Sequence, residues 1–324
     1  MTTYIIRRLL LIIPTLIIAT FIIFFTIRLI PGDIVNQMVM EQASGGGYVT
    51  EGAKQEVVER IKKELGLDVP IYTQYLRWIG GVLRGDLGES LWKKTKVAEE
   101  IAPRIPVTLE VTILSMAVSL LVAFIAGISS AIRHDTIIDH IGRSFATLAM
   151  CVPGFWLGTM VMIFPAVWWG WSPPIKLIHF SADPIGNLQM FIIPSIINGL
   201  LAIGITMRFI RTTALDVLRQ DYIRTAWSKG IRERTVIFRH VLKNSLIPVV
   251  TLLGLILRAM IGGTVIIETI FALPGLGRLV LESALNRDYP LIVGVMLFLA
   301  VIVLLINLLI DISYGWLDPR IRYK

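Results

Sequence analysis

The chain has 324 residues, 55% of them apolar, and its mean hydropathy is +0.74, values typical of integral membrane proteins. Its net charge of +8 does not indicate nucleic-acid binding, because the basic residues follow a membrane topology. The single cysteine, Cys151, excludes an internal disulfide and a cysteine-based metal site, and none of the four histidines forms a zinc-hydrolase motif. We therefore expect no catalytic residue, no metal ligand and no cofactor in this chain.

Six stretches are long and apolar enough to cross the bilayer, which takes about 20 residues for roughly 30 Å of hydrocarbon. They are 9–27, 111–132, 144–175, 184–207, 245–267 and 289–310. Lipid cannot satisfy exposed backbone groups, so each stretch must be helical. The sequence thus predicts an all-α integral membrane protein with six transmembrane helices.

The loop between the first two spans is too long to be a simple connector. Two helical patterns, at 56–65 and 71–83, predict a small helical lobe on the outer membrane face. We therefore divide the chain into a tip with the first span at 1–31, an external lobe at 32–105 and a transmembrane core at 106–324. The lobe either packs only on the spans or also offers a docking surface to an external partner.

The distribution of basic residues predicts the orientation. Sixteen Lys and Arg fall on the side of the N-terminus, nine of them in the segment 208–243, and three fall in the short loops on the other side. The positive-inside rule then places both termini and the segment 208–243 in the cytosol.

Within that segment, a short helix is predicted to begin at Asp221 as N-cap and to end at Gly230 as the C′ glycine. Ile223, Ala226 and Trp227 fall at i, i+3 and i+4 and form one apolar stripe. A helix of about two turns is marginal alone and needs a surface to pack on. It either docks in the groove of a partner protein or lies on anionic lipid, and the capped end favours docking.

Four groups of motif residues occur along the chain in the same order as in a known family. They are Arg7-Arg8 with Ile30-Pro-Gly-Asp33; Gln74-Tyr-Leu-Arg-Trp78 with Gly85-Asp-Leu-Gly-Glu-Ser90; Tyr222-Ile-Arg-Thr-Ala226 with Lys229-Gly230; and Glu268-Thr-Ile-Phe271 with Pro274-Gly-Leu-Gly277 and Asn286-Arg-Asp-Tyr-Pro290. Together they resemble the permeases of the dipeptide, oligopeptide and nickel branch of ABC importers. The family-wide motif opens Glu-Ala-Ala, whereas this chain has Arg224-Thr225-Ala226, as that branch does.

The resemblance implies the type I ABC importer permease fold and the first of two permease subunits in a bacterial or archaeal cell membrane. It implies as partners a second permease, two cytosolic ATPases and an external solute-binding protein. Peptides are the implied solute, with nickel complexes or oligosaccharides as alternatives. The residues it implies for ATPase coupling are Asp221, Tyr222, Ile223, Arg224, Thr225, Ala226, Trp227, Lys229 and Gly230. The chain has no P-loop motif, so ATP and Mg²⁺ would be bound by partner subunits.

Arg258 is the one charge inside the predicted spans, near the middle of the fifth. Such a group usually faces a cavity or a partner, and here it either meets a passing solute or pairs with an acidic group or carbonyl of a neighbouring span. Asn198, Gly254 and Gly262 are further candidates for the translocation pathway. Of the rival classes, a lone secondary carrier or channel would show internal repeats, and a membrane enzyme would need a nucleophile–base pair; neither is found.

Overall fold

The computed structural model describes residues 2–28, 58–60, 68–172, 174 and 176–317. The described part is helical, with one isolated β-bridge, so the all-α prediction is confirmed. Its helices are α1 Thr2–Arg28, α2 Ile71–Val82, α3 Val97–Ile101, α4 Ile105–Ile132, α5 Ile137–Cys151, α6 Gly154–Trp169, α7 Pro184–Leu218, α8 Asp221–Ser228, α9 Glu233–Val236, α10 Leu242–Ile270, α11 Leu276–Leu285 and α12 Tyr289–Leu317. The predicted helix at 56–65, apart from helical residues 58–60, and the motif at 30–33 lie outside the described residues.

Five helical segments in the described part are long and apolar enough to cross a membrane. They are Ile6–Ile27, Val97–Ile132, Pro184–Leu218, Thr251–Ile270 and Tyr289–Ile312. The predicted third span is not one continuous helix, because α5 and α6 meet at an angle of 90°. The count is therefore six when this bent pair is taken as one span.

The bend between α5 and α6 has a local cause in Pro153. Proline disfavours helical backbone at the residue before it, and Val152 is extended, with φ −80° and ψ 120°. Pro153 itself has ψ 127° and precedes the first residue of α6. The single stretch expected over 144–175 is thus corrected to two helices, the first of which already begins at Ile137.

The chain divides into two compact units, one of residues 1–8, 103–279 and 303–324, the other of residues 9–102 and 280–302. In the first unit α4 packs along α7 through small buried residues at every fourth position: Ser115, Ser119, Ala123 and Gly127. Ser119 Oγ donates to the carbonyl of Gly199 at 3.0 Å. Small residues let membrane helices approach closely, so dispersion and interhelical hydrogen bonds hold this pair together.

A buried ion pair joins three helices at one end of the same unit. Asp139 at the start of α5 is fully buried, and Arg211 of α7 donates to both of its carboxylate oxygens at 2.6 Å. Ser130 of α4 and the backbone N–H of Asp135 also donate to Asp139. Every lone pair of the carboxylate thus has a donor nearby, as a buried charge requires.

Glu268, near the end of α10, is a second fully buried carboxylate of the first unit. Its Oε1 accepts from Thr108 Oγ1 of α4 at 2.6 Å, and its Oε2 accepts from the backbone N–H of Arg278 in the first turn of α11 at 3.0 Å. A negative charge at a helix N-terminus meets unpaired N–H groups and the positive end of the helix dipole. The packing leaves no room for a Cβ at Gly275, which faces the carboxylate.

The second unit contains α2, which confirms the helix predicted at 71–83. Tyr75 and Trp78 of α2 contact Phe24 of α1 with ring centroids 5.4 and 5.5 Å apart, and Tyr75 also shares a hydrogen bond of 3.0 Å with Thr20. The loop after α2 is fixed by Ser90, which donates to Asp288. The described part of the predicted lobe therefore packs on the spans.

We expect Gly199→Ala to destabilise the chain by about 1–3 kcal/mol, because overpacking forces the α4–α7 contact apart. An added Cβ would clash with Ser119 Oγ and lie 2.9 Å from the carbonyl oxygen of Ser115. Gly262→Ala is the matched control: that glycine also lies within a membrane helix, but a Cβ there meets nothing within 4 Å. Thermal unfolding in detergent, followed by circular dichroism, measures both, and equal midpoints would contradict the packing argument.

Arg211→Met should destabilise the chain by about 3–5 kcal/mol, because it leaves the Asp139 carboxylate buried without its counter-charge. The double variant Asp139→Asn/Arg211→Met removes both charges and should recover most of that loss. Denaturant unfolding of the two purified variants gives the comparison. If the double variant were as unstable as the sum of its singles, the pair would not act as a unit.

Candidate functional site

The helix α8 lies where the sequence predicts a short cytosolic helix, and it has two turns. Its two sides differ sharply in exposure. Ile223 and Ala226 are buried, whereas Tyr222 and Trp227 are 45% and 44% exposed. The predicted apolar stripe is therefore divided, because only Trp227 of its three residues is available to a partner and the other two pack inside the chain.

The ends of α8 confirm one predicted cap and correct the other. Gln220 is the N-cap and Asp221 the first helical residue, and no side-chain cap bond forms. The prediction that Asp221 is the N-cap is therefore wrong; its carboxylate instead stands in the first turn, favourable for the helix dipole, 3.8 Å from Arg224. Gly230, with φ +73°, is the C′ glycine as predicted.

The C-terminal end of α8 is a Schellman motif. The N–H of Gly230 donates to the carbonyl of Trp227 at 2.9 Å, and that of Ile231 to the carbonyl of Ala226 at 3.3 Å. These two bonds satisfy carbonyls that a two-turn helix would otherwise leave free. The helix is therefore fixed at the end where the chain turns back towards α10.

The buried side of α8 belongs to a core cluster that reaches into most of the first unit. The cluster unites Ile223 and Ala226 with Ala123, Ile128 and Ala131 of α4, Ala146 of α5, Met207, Ile210 and Ala214 of α7, Val236 of α9, Val241, and Val249 of α10. Tyr222 adds a polar contact, because Asn244 Nδ2 of α10 donates to its hydroxyl at 3.1 Å. α8 therefore shares one packed core with α7 and α10.

The exposed side of α8 presents aromatic and basic groups together. It consists of Asp221, Tyr222, Arg224, Thr225, Trp227, Ser228 and Lys229. Exposed aromatic rings next to cations are typical of the centres of protein interfaces, whereas a lone solvated helix would carry polar residues there. This side of α8 is the candidate coupling surface.

A second region of interest is the exposed side of α10. Arg258 lies there, about 10 Å along the helix from Thr251, where this membrane-spanning segment begins. Placing such a charge inside a bilayer costs roughly 2.5–3.5 kcal/mol on insertion scales. Its Nε donates to the carbonyl of Gly254 at 3.2 Å, and no described carboxylate lies within ion-pair distance.

The other three pathway candidates take different positions. Gly262 is exposed on the same side of α10 as Arg258. Gly254 is buried, and a Cβ there would come within 2.7 Å of Ile310, so this candidate lies in a helix contact and not on the exposed side of α10. Asn198 of α7 donates to Ser115 Oγ at 3.1 Å, an interhelical hydrogen bond, and also lines a cavity.

That cavity has a volume of about 320 Å³ and lies beside the break between α5 and α6. Its walls are apolar side chains of α6, α7 and α10, including Phe155, Leu201 and Met260, with Asn198 as a polar group. Ala259 and Ile266 belong both to its wall and to the exposed side of α10. The cavity thus adjoins the region around Arg258.

No pattern in the sequence predicts the pair Asp139–Arg211, whose members are 72 residues apart. His134, Asp135 and Asp139 bring three ligand-type groups within 4.8 Å of one another. Both oxygens of Asp139 already accept from Arg211, however, so this described cluster does not fit a metal ion.

Comparison with known proteins agrees with this architecture along the whole chain. Residues 123–323 match the family described as binding-protein-dependent transport system inner membrane component, and residues 1–112 match the N-terminal region of the same kind of component. The match confirms the predicted type I ABC importer permease fold.

Individual relatives match over their full length. A protein of Brucella abortus (strain 2308) that bears the name of a peptide transport system permease protein is 40% identical over 323 residues, 100% of both chains. The glutathione transport system permease protein of Salmonella paratyphi A is 37% identical and the dipeptide transport system permease protein of Escherichia coli K12 is 35% identical, each over 100% of both chains. This chain belongs to the family of binding-protein-dependent transport system inner membrane components.

Proposed function

We propose that this chain is a membrane-embedded permease subunit of an ATP-driven peptide importer, and that α8 couples it to a cytosolic ATPase. The observation that carries the proposal is the division of α8 into an anchored side, with Ile223 and Ala226 buried, and an exposed side, with Tyr222 and Trp227 outward. A helix held in this way can receive force on one side and transmit it through the other.

The peptide class of the solute is supported by the names of the relatives, which are peptide, dipeptide and glutathione permeases. The remaining subunits that we propose are a second permease, two cytosolic ATPases that bind ATP and Mg²⁺, and an external solute-binding protein. The membrane is the bacterial or archaeal cell membrane.

The proposed orientation places both termini and α8 in the cytosol. The basic segment 208–243 supports it through the positive-inside rule. The contact between Arg8 at the start of α1 and Asp311 in the last part of α12, 3.1 Å, is consistent with termini that share one side.

In the proposed mechanism, α8 sits in a cleft of an ATPase subunit through Trp227, Tyr222 and the neighbouring cations. Closure of the ATPases on ATP moves α8, and the core cluster passes that motion to α7 and α10. The permease then exchanges an inward-open for an outward-open arrangement. ATP can drive this exchange only because the closed ATPases bind one arrangement of α8 better than the other.

Trp227→Glu should leave membrane insertion and folding intact, because the side chain is exposed and removed from the core. It should reduce solute-dependent ATPase activity of the reconstituted importer at least about tenfold, since a desolvated charge replaces an aromatic anchor. ATPase activity and uptake in proteoliposomes measure the effect. Trp227→Phe is the matched control and should retain most activity; normal coupling in the glutamate variant would refute the role of α8.

Ile223→Ala tests the anchored side instead. The side chain is fully buried, so its truncation should destabilise the chain by about 2–5 kcal/mol through the cavity it leaves. Thermal unfolding of the purified chain measures this, with Trp227→Ala as the partner variant that should change the midpoint little. A larger loss of stability in Trp227→Ala than in Ile223→Ala would mean that α8 is packed the other way round.

A further inference from the structure

The exposed residues of α10 form one continuous stripe along the membrane-spanning segment. Between residues 251 and 270 the exposed residues are Thr251, Leu255, Arg258, Ala259, Gly262, Ile266 and Thr269. Their spacings of three, four and one residues keep them on one side of a helix with 3.6 residues per turn. The rest of the first unit therefore leaves this side of α10 uncovered over its whole length.

The composition of the stripe differs from that of a lipid-facing surface. In α1 the exposed residues from 9 to 22 are Leu9, Leu10, Leu11, Ile13, Pro14, Thr15, Ile17, Ile18, Phe21 and Ile22. Eight of these ten are large and apolar, as hydrocarbon favours, against two of seven in the α10 stripe. Two threonines, an alanine, a glycine and an arginine indicate instead a surface that meets water, a polar solute or another helix.

Arg258 is the charged member of this stripe. Its Nε donates to the carbonyl of Gly254, and this is its one hydrogen bond within the described part of the chain. The two terminal nitrogens, which carry four further N–H donors, have no hydrogen-bond partner among the described residues. Gly262, one turn on, leaves open space beside that position, since a Cβ there would meet nothing within 4 Å.

We infer that Arg258 is the carboxylate-binding residue of the translocation pathway and holds the carboxylate of the peptide as it crosses the membrane. The inference rests on the proposed function, which supplies a solute that carries a carboxylate. A guanidinium binds a carboxylate through two parallel N–H···O bonds, and it does so without losing its own charge. The open position at Gly262 gives the peptide backbone room next to the bound carboxylate.

A carboxylate of the second permease would offer the same chemistry, and the two sources have different consequences. A carboxylate of the partner subunit would make Arg258 part of the assembly interface, shielded from water-soluble reagents. A carboxylate of the solute leaves Arg258 open to water whenever the pathway is empty.

The first arm of the test measures access to water. Cys151 is exposed and is replaced by serine to give a cysteine-free background. In that background Arg258→Cys and Gly262→Cys should react with sulfonatoethyl methanethiosulfonate, a membrane-impermeant anion, in the assembled importer. Ile18→Cys, on the exposed lipid-like side of α1, is the matched control and should not react. Unreactive cysteines at both 258 and 262 would overturn the proposal, and this arm needs no transport.

The second arm measures charge at the same position. Arg258→Cys should lower ATP-dependent uptake of radiolabelled Ala-Ala-Ala by about ten- to hundredfold, the range for loss of a charge-assisted contact. Treatment with aminoethyl methanethiosulfonate, which attaches an ethylammonium group, should restore uptake to within about threefold of the parent. Methyl methanethiosulfonate, which adds only a neutral group, should restore nothing.

The other outcomes of the uptake and assembly measurements count either against the role of Arg258 or against the proposed function. Normal uptake in Arg258→Cys, or equal rescue by the neutral and cationic reagents, would overturn the proposal. Failure of Arg258→Cys to co-purify with the second permease would assign the carboxylate to that subunit and would also overturn the proposal. Arg258→Lys, which should assemble and transport, is the control for a folding defect. Absence of Ala-Ala-Ala uptake by the cysteine-free parent would count against the proposed function rather than against Arg258.

Discussion

The close approach of α4 and α7 is the constraint on which both candidate regions depend. Lipid supplies no hydrophobic force between helices, so their association depends on packing and on hydrogen bonds such as that from Ser119 to the Gly199 carbonyl. α7 is followed after two residues by α8, which carries the candidate coupling surface, and Asn198 of α7 borders the cavity beside α10. If the two helices separated, the core cluster that anchors α8 and the wall of that cavity would open together.

Two groups of motif residues make contacts in the fold, each within one unit. Ser90 of the Gly-Asp-Leu-Gly-Glu-Ser motif donates to Asp288 of the Asn-Arg-Asp-Tyr-Pro motif, 198 residues away. Glu268 faces Gly275, and the backbone N–H of Arg278 donates to its carboxylate. In both places a carboxylate accepts hydrogen bonds from within its own unit, so packing accounts for these motif residues.

The sequence predicted what depends on solvent and on short-range geometry. Apolar runs located the spans because the bilayer admits only helices, and Gly230 marked the end of α8 because only glycine readily adopts its positive φ there.

The sequence did not predict which side of α8 is covered, since periodicity shows that Ile223, Ala226 and Trp227 share a side but not what packs on it. Gln220, and not Asp221, is the N-cap for a similar reason: the path of the chain from α7 determines where the helix begins. The sequence did not predict contacts between residues that are distant in sequence, such as Asp139 and Arg211, because no local pattern connects the two.

Arg211 of α7 and Arg258 of α10 differ in how their charges are compensated within the described part of the chain. Arg211 has a bidentate carboxylate partner at 2.6 Å, so its charge is compensated within the fold. Among the described residues Arg258 contacts only a carbonyl of its own helix, although its position on an exposed surface would make an uncompensated charge more costly in lipid. Because no described carboxylate pairs with Arg258, its charge needs compensation from a group beyond the described residues. Water and a passing carboxylate supply that compensation only if the α10 stripe faces a pathway. The charge of Arg258 therefore determines which side of α10 must face that pathway.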